Sequence, residues 1–285
     1  MSDKQSSLTR PYVLATAVTL LLTLVATTVG LFVPEFYRDA EVLLPQLYGQ
    51  DLLTLIVAVP ALVISGYYAS RGSLRGYVAW LGVIGYLLYT YASYALLTAF
   101  NELYLVYVAL FALTLFTLIG GVTRLDPTVL KRSFGSSVRA FVVFQAALAV
   151  LVALMWLGEV GPASLAGTRP PSIAETDLPV PVIQSLDLGV VVPSFGLTAY
   201  LLHRRNPWAY VFTGVLLVKG TTLGLAVLAM IVFMLLDGQT VPLAQIVIFA
   251  VFSSLGLVLV GRFLRSIDET DFTASDAESP TAVGN

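Results

Sequence analysis

The sequence predicts an all-α integral membrane protein, a polytopic bundle of about eight transmembrane helices. Hydrophobic residues make up 58% of the 285 positions and charged residues only 11%, whereas soluble domains contain about 25% charged residues. Eight segments approach or exceed the roughly 20 apolar residues that a spanning helix needs. Almost all basic residues also fall on one side of these segments, as expected for a chain threaded through a bilayer.

The eight segments lie between breaks that are charged or rich in proline and glycine. We number them span one to span eight, and they cover residues 11–33, 51–70, 76–98, 102–122, 139–157, 183–202, 208–236 and 241–263. Span one is longer than the core of a secretion signal, which is about 7–15 residues, and it shows no clear A-x-A cleavage site, so we expect a permanent helix. Residues 11–265 therefore form the transmembrane domain. Residues 1–10 precede it, and an acidic 266–285 tail, rich in small residues, is predicted to be disordered.

Lysine and arginine predict the orientation, because short cytoplasmic loops carry most of them. Two of the fifteen, Arg38 and Arg169, lie in loops on one side of the predicted bundle. Twelve lie on the other side together with both termini: Lys4, Arg10, Arg71, Arg75, Arg124, Lys131, Arg132, Arg139, Arg204, Arg205, Arg262 and Arg265. We therefore expect a multi-pass protein of the plasma membrane with both termini in the cytoplasm.

The predicted outer side is acidic. Its carboxylates are Glu35, Asp39, Glu41, Asp51, Glu102, Glu159, Glu175, Asp177, Asp187 and Asp237. Such a face would attract cations and repel anions. The same residues could equally form a solvated rim that only follows the topology.

Spans two and three resemble spans six and seven. When Tyr77 is set on Tyr210, Tyr86 falls on Lys219. The aspartates that begin spans two and six match only with a gap of about three residues. Four spans return the chain to the same side of the membrane, so this pattern predicts two parallel repeats. The repeats would cover residues 11–123 and 139–263.

Lys219 is the only charged residue in the stretch VFTGVLLVKGTTLGLAVLAMIV of span seven. It follows Trp208 by 11 residues, so its Cα lies roughly 16 Å from the inner boundary, near the middle of the bilayer. A lysine at that depth costs about 3 kcal/mol unless it is compensated. Asp187 on the preceding span is the first partner that we expect, because a lysine stem can extend towards it.

Two interpretations of Lys219 and Asp187 remain open. They could form a structural pair that holds neighbouring helices together. They could instead lie at the base of a polar cavity that opens to the outer face and binds a small solute or ion. Asp187 could also act only as a helix cap, and the same holds for Asp51.

Asp51, Tyr86 and Glu102 complete the predicted binding site. Tyr86 lies too deep for an interfacial belt, and its hydroxyl needs a partner, for which Lys219 and Asp51 are candidates. Glu102 marks the outer end of span four. The other tyrosines of span three are typical of an interfacial belt, and they are Tyr77, Tyr89, Tyr91 and Tyr94.

Enzymatic activity is the least favoured function. The chain has no cysteine and a single histidine, and it contains none of the H-E-x-x-H, G-x-S-x-G, Walker or Rossmann patterns. We therefore expect no catalytic residue, cofactor, metal site or nucleic-acid partner. The favoured function is binding or transport of a small solute or ion around Lys219, with the lipid bilayer as the surroundings. The alternative is a membrane-embedded partner or sensor subunit in which Lys219 and Asp187 have a structural role. Such a protein could associate with a partner subunit or form an oligomer.

Three stretches resemble prokaryotic multi-pass membrane proteins that have no assigned activity. They are GQDLLTLIVAVP, AFNELYLVYVALFALTLF and DLGVVVPSFG followed by LLHRRNPWAYVFTGVLLVKG. This resemblance implies a membrane location over residues 40–265 and transfers no site residue. The position of Lys219 in the seventh span also resembles that of the lysine in retinal proteins. Two features differ from that family: an eighth span follows, and span three has no carboxylate at mid-depth.

Overall fold

The computed structural model describes residues 7–176 and 178–269, which form helices joined by short loops. Eight of the described helices are long and apolar enough to cross a membrane, which confirms the predicted all-α polytopic bundle. The spans are Arg10–Phe32, Glu41–Ser70, Leu74–Leu97, Tyr104–Thr123, Arg139–Ala166, Val182–His203, Pro207–Leu236 and Leu243–Arg265. Residues 270–285 of the predicted tail, Lys4 and Asp177 lie outside the described residues.

Span two is longer than predicted and changes the position of Asp51. It begins with a 3₁₀ turn, Glu41–Leu43, and continues into an α-helix, Leu44–Leu53. Proline is tolerated in the first turn of a helix, and Pro45 lies there. Asp51 therefore lies in the last turn of this helix, and its interpretation as a helix cap is wrong.

Span six differs from the prediction in the same way. Its helix begins at Val182 after Pro181, so Asp187 lies inside the span and does not cap it. Span five also extends further than predicted, to Ala166, and ends where Gly167 adopts a positive φ of 66°. Glycine is the residue that takes this left-handed conformation at little cost.

Spans three and seven lie side by side in the centre of the bundle. In the most apolar 18-residue stretch of span three, 72% of the residues are buried, whereas the corresponding share is 17% in spans five and eight. Gly82 lies directly against Val218, so the two central helices approach closely. Most tyrosines of span three are accordingly buried among protein side chains rather than placed in an interfacial belt: Tyr77, Tyr86, Tyr91 and Tyr94.

Both ends of the described chain lie at one face of the bundle. The amide of Leu8 donates to the carbonyl of Ala69, and the amide of Gly135 donates to the carbonyl of Ser266. We call this the terminal face. The opposite surface, which we call the far face, carries the loops 33–40, 98–103, 167–181 and 237–242.

Spans two and six share an unusual local structure. Each contains a five-residue π-helical segment, Thr54–Ala58 or Asp187–Val191. Each segment leads into a twelve-residue α-helix with proline at its second position, Val59–Ser70 or Val192–His203. The two sets of bounds differ by 133 residues (187 minus 54).

The same offset continues into the next helices. Span three is capped by Ser73, whose hydroxyl accepts from Gly76, and span seven by Asn206, whose side chain accepts from Trp208. Positions 73 and 206 again differ by 133, so this register needs no gap. In this register Tyr86 still aligns with Lys219. The repeat stays a prediction, and in this register Asp187 corresponds to Thr54 rather than to Asp51.

Candidate functional site

A cavity of about 290 Å³ lies among spans two, three, five, six, seven and eight and extends towards the far face. Its wall is mostly apolar. At the far-face rim lie Asp39, Gln46 and Thr98. Between spans five and eight, the rings of Phe144 and Phe252 meet with their centroids 5.7 Å apart. The cavity is therefore a partly enclosed space inside the bundle rather than a surface groove.

Lys219 projects from span seven into this cavity. Its stem lies against Gly85 of span three, and the residue is only 6% exposed. Its Nζ lies 4.2 Å from the centroid of the Tyr89 ring. Among the described residues Nζ has no hydrogen-bond partner and no carboxylate oxygen within 4.0 Å. A desolvated cation–π contact is worth about 2 kcal/mol, so the ring offsets only part of the cost of burying this ammonium.

Asp187 is held by two neutral donors instead of by Lys219. Its Oδ1 accepts a 2.8 Å hydrogen bond from the Tyr89 hydroxyl, and its Oδ2 accepts a 2.7 Å bond from Trp156 Nε1. Tyr89 therefore joins the two charged residues, with its ring against the ammonium and its hydroxyl on the carboxylate. The direct pair that the sequence predicts is replaced by this indirect connection.

The position of Asp187 follows from the local sequence of span six. Proline has no N–H, so Pro193 cannot donate to the carbonyl four residues earlier. Just before it the helix widens into the π-helical segment, in which the amide of Val192 donates to the carbonyl of Asp187, five residues back. Such π turns are common at functional sites, because they rotate a side chain relative to its neighbours. Asp187 begins the widened turn and faces the cavity.

Asp51 lies outside the cavity, in a separate buried cluster of tyrosines. Its carboxylate accepts hydrogen bonds of 2.5 Å from the Tyr37 hydroxyl and 2.9 Å from the Tyr94 hydroxyl. Both donors are neutral, and neither lies on span six or span seven. The structure thus separates Asp51 from Lys219, although the sequence grouped them in one site.

Tyr86 is also removed from the cavity wall, because it is fully buried behind span two. Its hydroxyl accepts a 2.9 Å hydrogen bond from Gln50 and shares a 2.8 Å hydrogen bond with Thr54. Neither predicted partner, Lys219 or Asp51, contacts it through a hydrogen bond.

Glu102 lies on the exposed surface of the far face. It forms an ion pair with Arg38, which is exposed as well. Of the five predicted site residues, the cavity therefore brings together two, Lys219 and Asp187.

Four residues of the cavity were missed by the sequence analysis. Tyr89 and Trp156 hold Asp187, and both are residue types that also populate interfacial belts. Gln50 and Ser253 line the wall, and their Oε1 and Oγ atoms are buried without a hydrogen-bond partner in the described residues. Ser253 offered the weakest signal, because a hydroxyl in an apolar span usually bonds to its own helix.

Asp39 supplies a titratable group at the rim of the cavity. Its Oδ1 accepts a 2.9 Å hydrogen bond from the amide of Ala99, which fixes the side chain. Burial nevertheless raises the pKa of the Asp39 carboxyl above its ordinary value. The negative charge at the rim is therefore lost more readily, as the pH falls, than that of an exposed aspartate.

Comparison of the chain with protein-family models, curated proteins and solved structures finds no match. The geometry of the cavity is therefore the basis for any assignment of function.

Proposed function

We propose that this integral membrane protein binds a small solute within the membrane, in the cavity beside Lys219. The observation that best supports this is the Lys219 ammonium, which is buried, lines the cavity and has no hydrogen-bond partner among the described residues. A charge at this depth destabilises the fold by about 3 kcal/mol on insertion scales. A bound solute that accepts hydrogen bonds from the ammonium would offset that cost.

The corresponding position in the first half of the chain supports the same proposal. Tyr86, offset by 133 residues from Lys219, is uncharged and hydrogen bonded to its neighbours. At the corresponding position, this fold thus has a neutral side chain whose polar group is satisfied by its neighbours. Groups that weaken a fold yet are retained are commonly those needed for activity, and we ascribe the charge of Lys219 to solute binding.

We propose further that the far face is the outer face of the plasma membrane and that both termini are cytoplasmic. The distribution of lysine and arginine between the loops supports this orientation. The cavity would then receive its solute from outside the cell. Binding at such a site would be the first step of transport or of sensing.

A second candidate function is a membrane-embedded partner subunit with a purely structural pair of charges. The contacts of Asp187 favour it, since this one carboxylate joins Tyr89 of span three and Trp156 of span five to span six. In that case Lys219 would stabilise Asp187 through space, and the cavity would have no ligand.

Cysteine accessibility tests the first proposal. The natural chain has no cysteine, so a single introduced cysteine is the only thiol that the reagent can modify. Ser253→Cys places that thiol on the cavity wall, where Ser253 is 2% exposed. Ser65→Cys is the matched control, because Ser65 is similarly buried at 5% exposed but does not line the cavity.

We expect a small, water-soluble methanethiosulfonate reagent to modify Ser253→Cys in lipid vesicles and to leave Ser65→Cys unmodified. Failure to modify Ser253→Cys would contradict a cavity that a solute can enter. Intact cells treated with an impermeant reagent test the orientation, because modification from outside requires the far face to be external.

A further inference from the structure

The groups inside the cavity that lack hydrogen-bond partners indicate the class of ligand. At the depth of Lys219 the described wall carries one ammonium and one carboxylate, Asp187. Both oxygens of that carboxylate already accept hydrogen bonds, from Tyr89 and Trp156. The ammonium has three donor hydrogens and accepts nothing. The group still to be satisfied is therefore a donor with a positive charge, which calls for an anionic acceptor.

Away from the rim, the other unsatisfied groups on the wall are neutral, whereas at the far-face rim Oδ2 of Asp39 is a buried carboxylate oxygen without a hydrogen-bond partner among the described residues. The amide oxygen of Gln50 and the hydroxyl of Ser253 have no partner among the described residues. The Gln50 nitrogen is already used, since it donates to Tyr86 and Thr90 at 2.9 Å each. A ligand that carried its own ammonium would find no free carboxylate beside Lys219. This argues against cations at Lys219 and against zwitterions whose ammonium lies next to the carboxylate.

The rest of the cavity suits an apolar body. Its wall includes several aromatic side chains from spans five, six and eight: Phe144, Phe195, Phe249 and Phe252. The Phe195 ring packs over Gly220, one residue beyond Lys219, so apolar surface begins directly beside the ammonium. At roughly 30 Å³ for each water-sized group, the cavity of about 290 Å³ holds about ten non-hydrogen atoms.

We infer that the ligand is an amphipathic monoanion, in which a carboxylate binds Lys219 Nζ and a short apolar chain packs among the aromatic residues. This inference rests on the proposed function, because it assumes that the cavity is a binding site. Octanoate matches the description, with one carboxylate and about ten non-hydrogen atoms in all.

The test is protection of Ser253→Cys from modification by a neutral methanethiosulfonate reagent. The probes are octanoate, octanol, octyltrimethylammonium and 2-aminooctanoate, which share a chain length and differ in charge. We expect saturating octanoate to slow the modification at least about tenfold and the other probes to have little effect. Adding Lys219→Met should abolish the protection, whereas Lys219→Arg should retain part of it, since arginine keeps the charge.

Each outcome separates the ligand class from the binding site. If octanol, octyltrimethylammonium or 2-aminooctanoate protects as well as octanoate, or if no probe protects, the anionic class is wrong while the accessible cavity stands. If Ser253→Cys is not modified at all, the proposed function fails together with this inference. Hexadecanoate separates a membrane lipid from a water-soluble acid, because its chain exceeds the cavity. Stronger protection by hexadecanoate than by octanoate would contradict the inference that the ligand has a short chain.

Discussion

Corresponding positions in the two halves of the bundle differ in charge and in hydrogen bonding. Tyr86 in span three and Lys219 in span seven differ by 133 residues, and so do Thr54 and Asp187 on the preceding spans. In the first half, the Tyr86 and Thr54 hydroxyls bond to each other. In the second half, Lys219 and Asp187 make no direct contact within 4.0 Å, and Tyr89 lies between them. The same helical framework therefore places a hydrogen-bonded neutral pair at one position and two separated charges beside the cavity at the other.

A difference in packing accompanies this contrast. Gly49 of span two lies directly against the backbone of Met230, so spans two and seven touch closely. The residue 133 positions later is Val182, at the start of span six. Val182 has a branched side chain where span two has glycine. Spans six and three both contribute residues to the wall of the cavity.

Moving the charge to position 86 should give the largest effect on stability. Tyr86→Lys places an ammonium where the native side chain is fully buried and does not line the cavity. We expect a loss of about 3 kcal/mol or more in the free energy of unfolding, measured as a much lower melting temperature in detergent or as failure to accumulate. Normal stability would mean that the two halves tolerate charge equally.

Gly49→Val should cause the second-largest loss of stability. The added side chain collides with the backbone of span seven, which cannot move aside as a flexible side chain would. Overpacking of this kind costs about 1–3 kcal/mol. Gly158→Val in span five is the control, because no described atom lies within 4 Å of a Cβ built there. Equal melting temperatures for the two variants would remove the packing explanation.

Asp187→Asn should destabilise the protein by about 1–3 kcal/mol, because its amide nitrogen cannot accept and leaves one of the two aromatic donors unpaired. Glu102→Gln serves as the control. Glu102 and its partner Arg38 are both exposed, and exposed ion pairs contribute little. Chemical denaturation monitored by tryptophan fluorescence can compare the two variants. The expectation fails if Asp187→Asn is as stable as Glu102→Gln.

Lys219→Met separates the two candidate functions. Methionine keeps the unbranched shape and removes the charge, and Asp187 retains both of its hydrogen bonds. We expect a melting temperature equal to or above that of the natural chain, because a costly buried charge disappears. A far lower melting temperature would instead support the structural pair and the partner-subunit function.

The smallest effect concerns pH and the rim of the cavity. The pKa of Asp39 is raised in the folded state by burial, so the native protein binds this proton more tightly than the unfolded chain does. Stability should then fall as the pH rises from the ordinary carboxyl range through the raised pKa. Asp39→Asn should remove that slope.

Asp126 is the control of opposite sign. Its pKa is lowered, chiefly by hydrogen bonds from Thr128, so its stabilising contribution is lost as the pH falls. Melting temperatures across the acidic to neutral range measure both slopes. An Asp39→Asn variant that keeps the slope of the natural chain would show that other groups cause it.

The class of protein and the course of its spans could be predicted with few errors. Span three was predicted as residues 76–98 and is Leu74–Leu97, and span four was predicted as 102–122 and is Tyr104–Thr123. The errors arose where polar residues belong to a helix. Asp51 and Asp187 were used as boundaries, although both lie within their spans. Hydropathy alone cannot show that the protein, rather than water, surrounds such a side chain.

The sequence by itself determined the number of spans, the shared face of the two ends of the described chain and the anomaly of a lysine within an apolar span. These follow from hydropathy and chain length, because hydrocarbon admits only helices that satisfy their own backbone. The tertiary structure alone decided which polar groups meet. Tyr89 reaches Asp187 across 98 residues and Trp156 reaches it across 31, and such contacts depend on helix rotation and spacing. In span six, Asp187 lies at the start of a π-helical turn, which its local sequence produces ahead of Pro193.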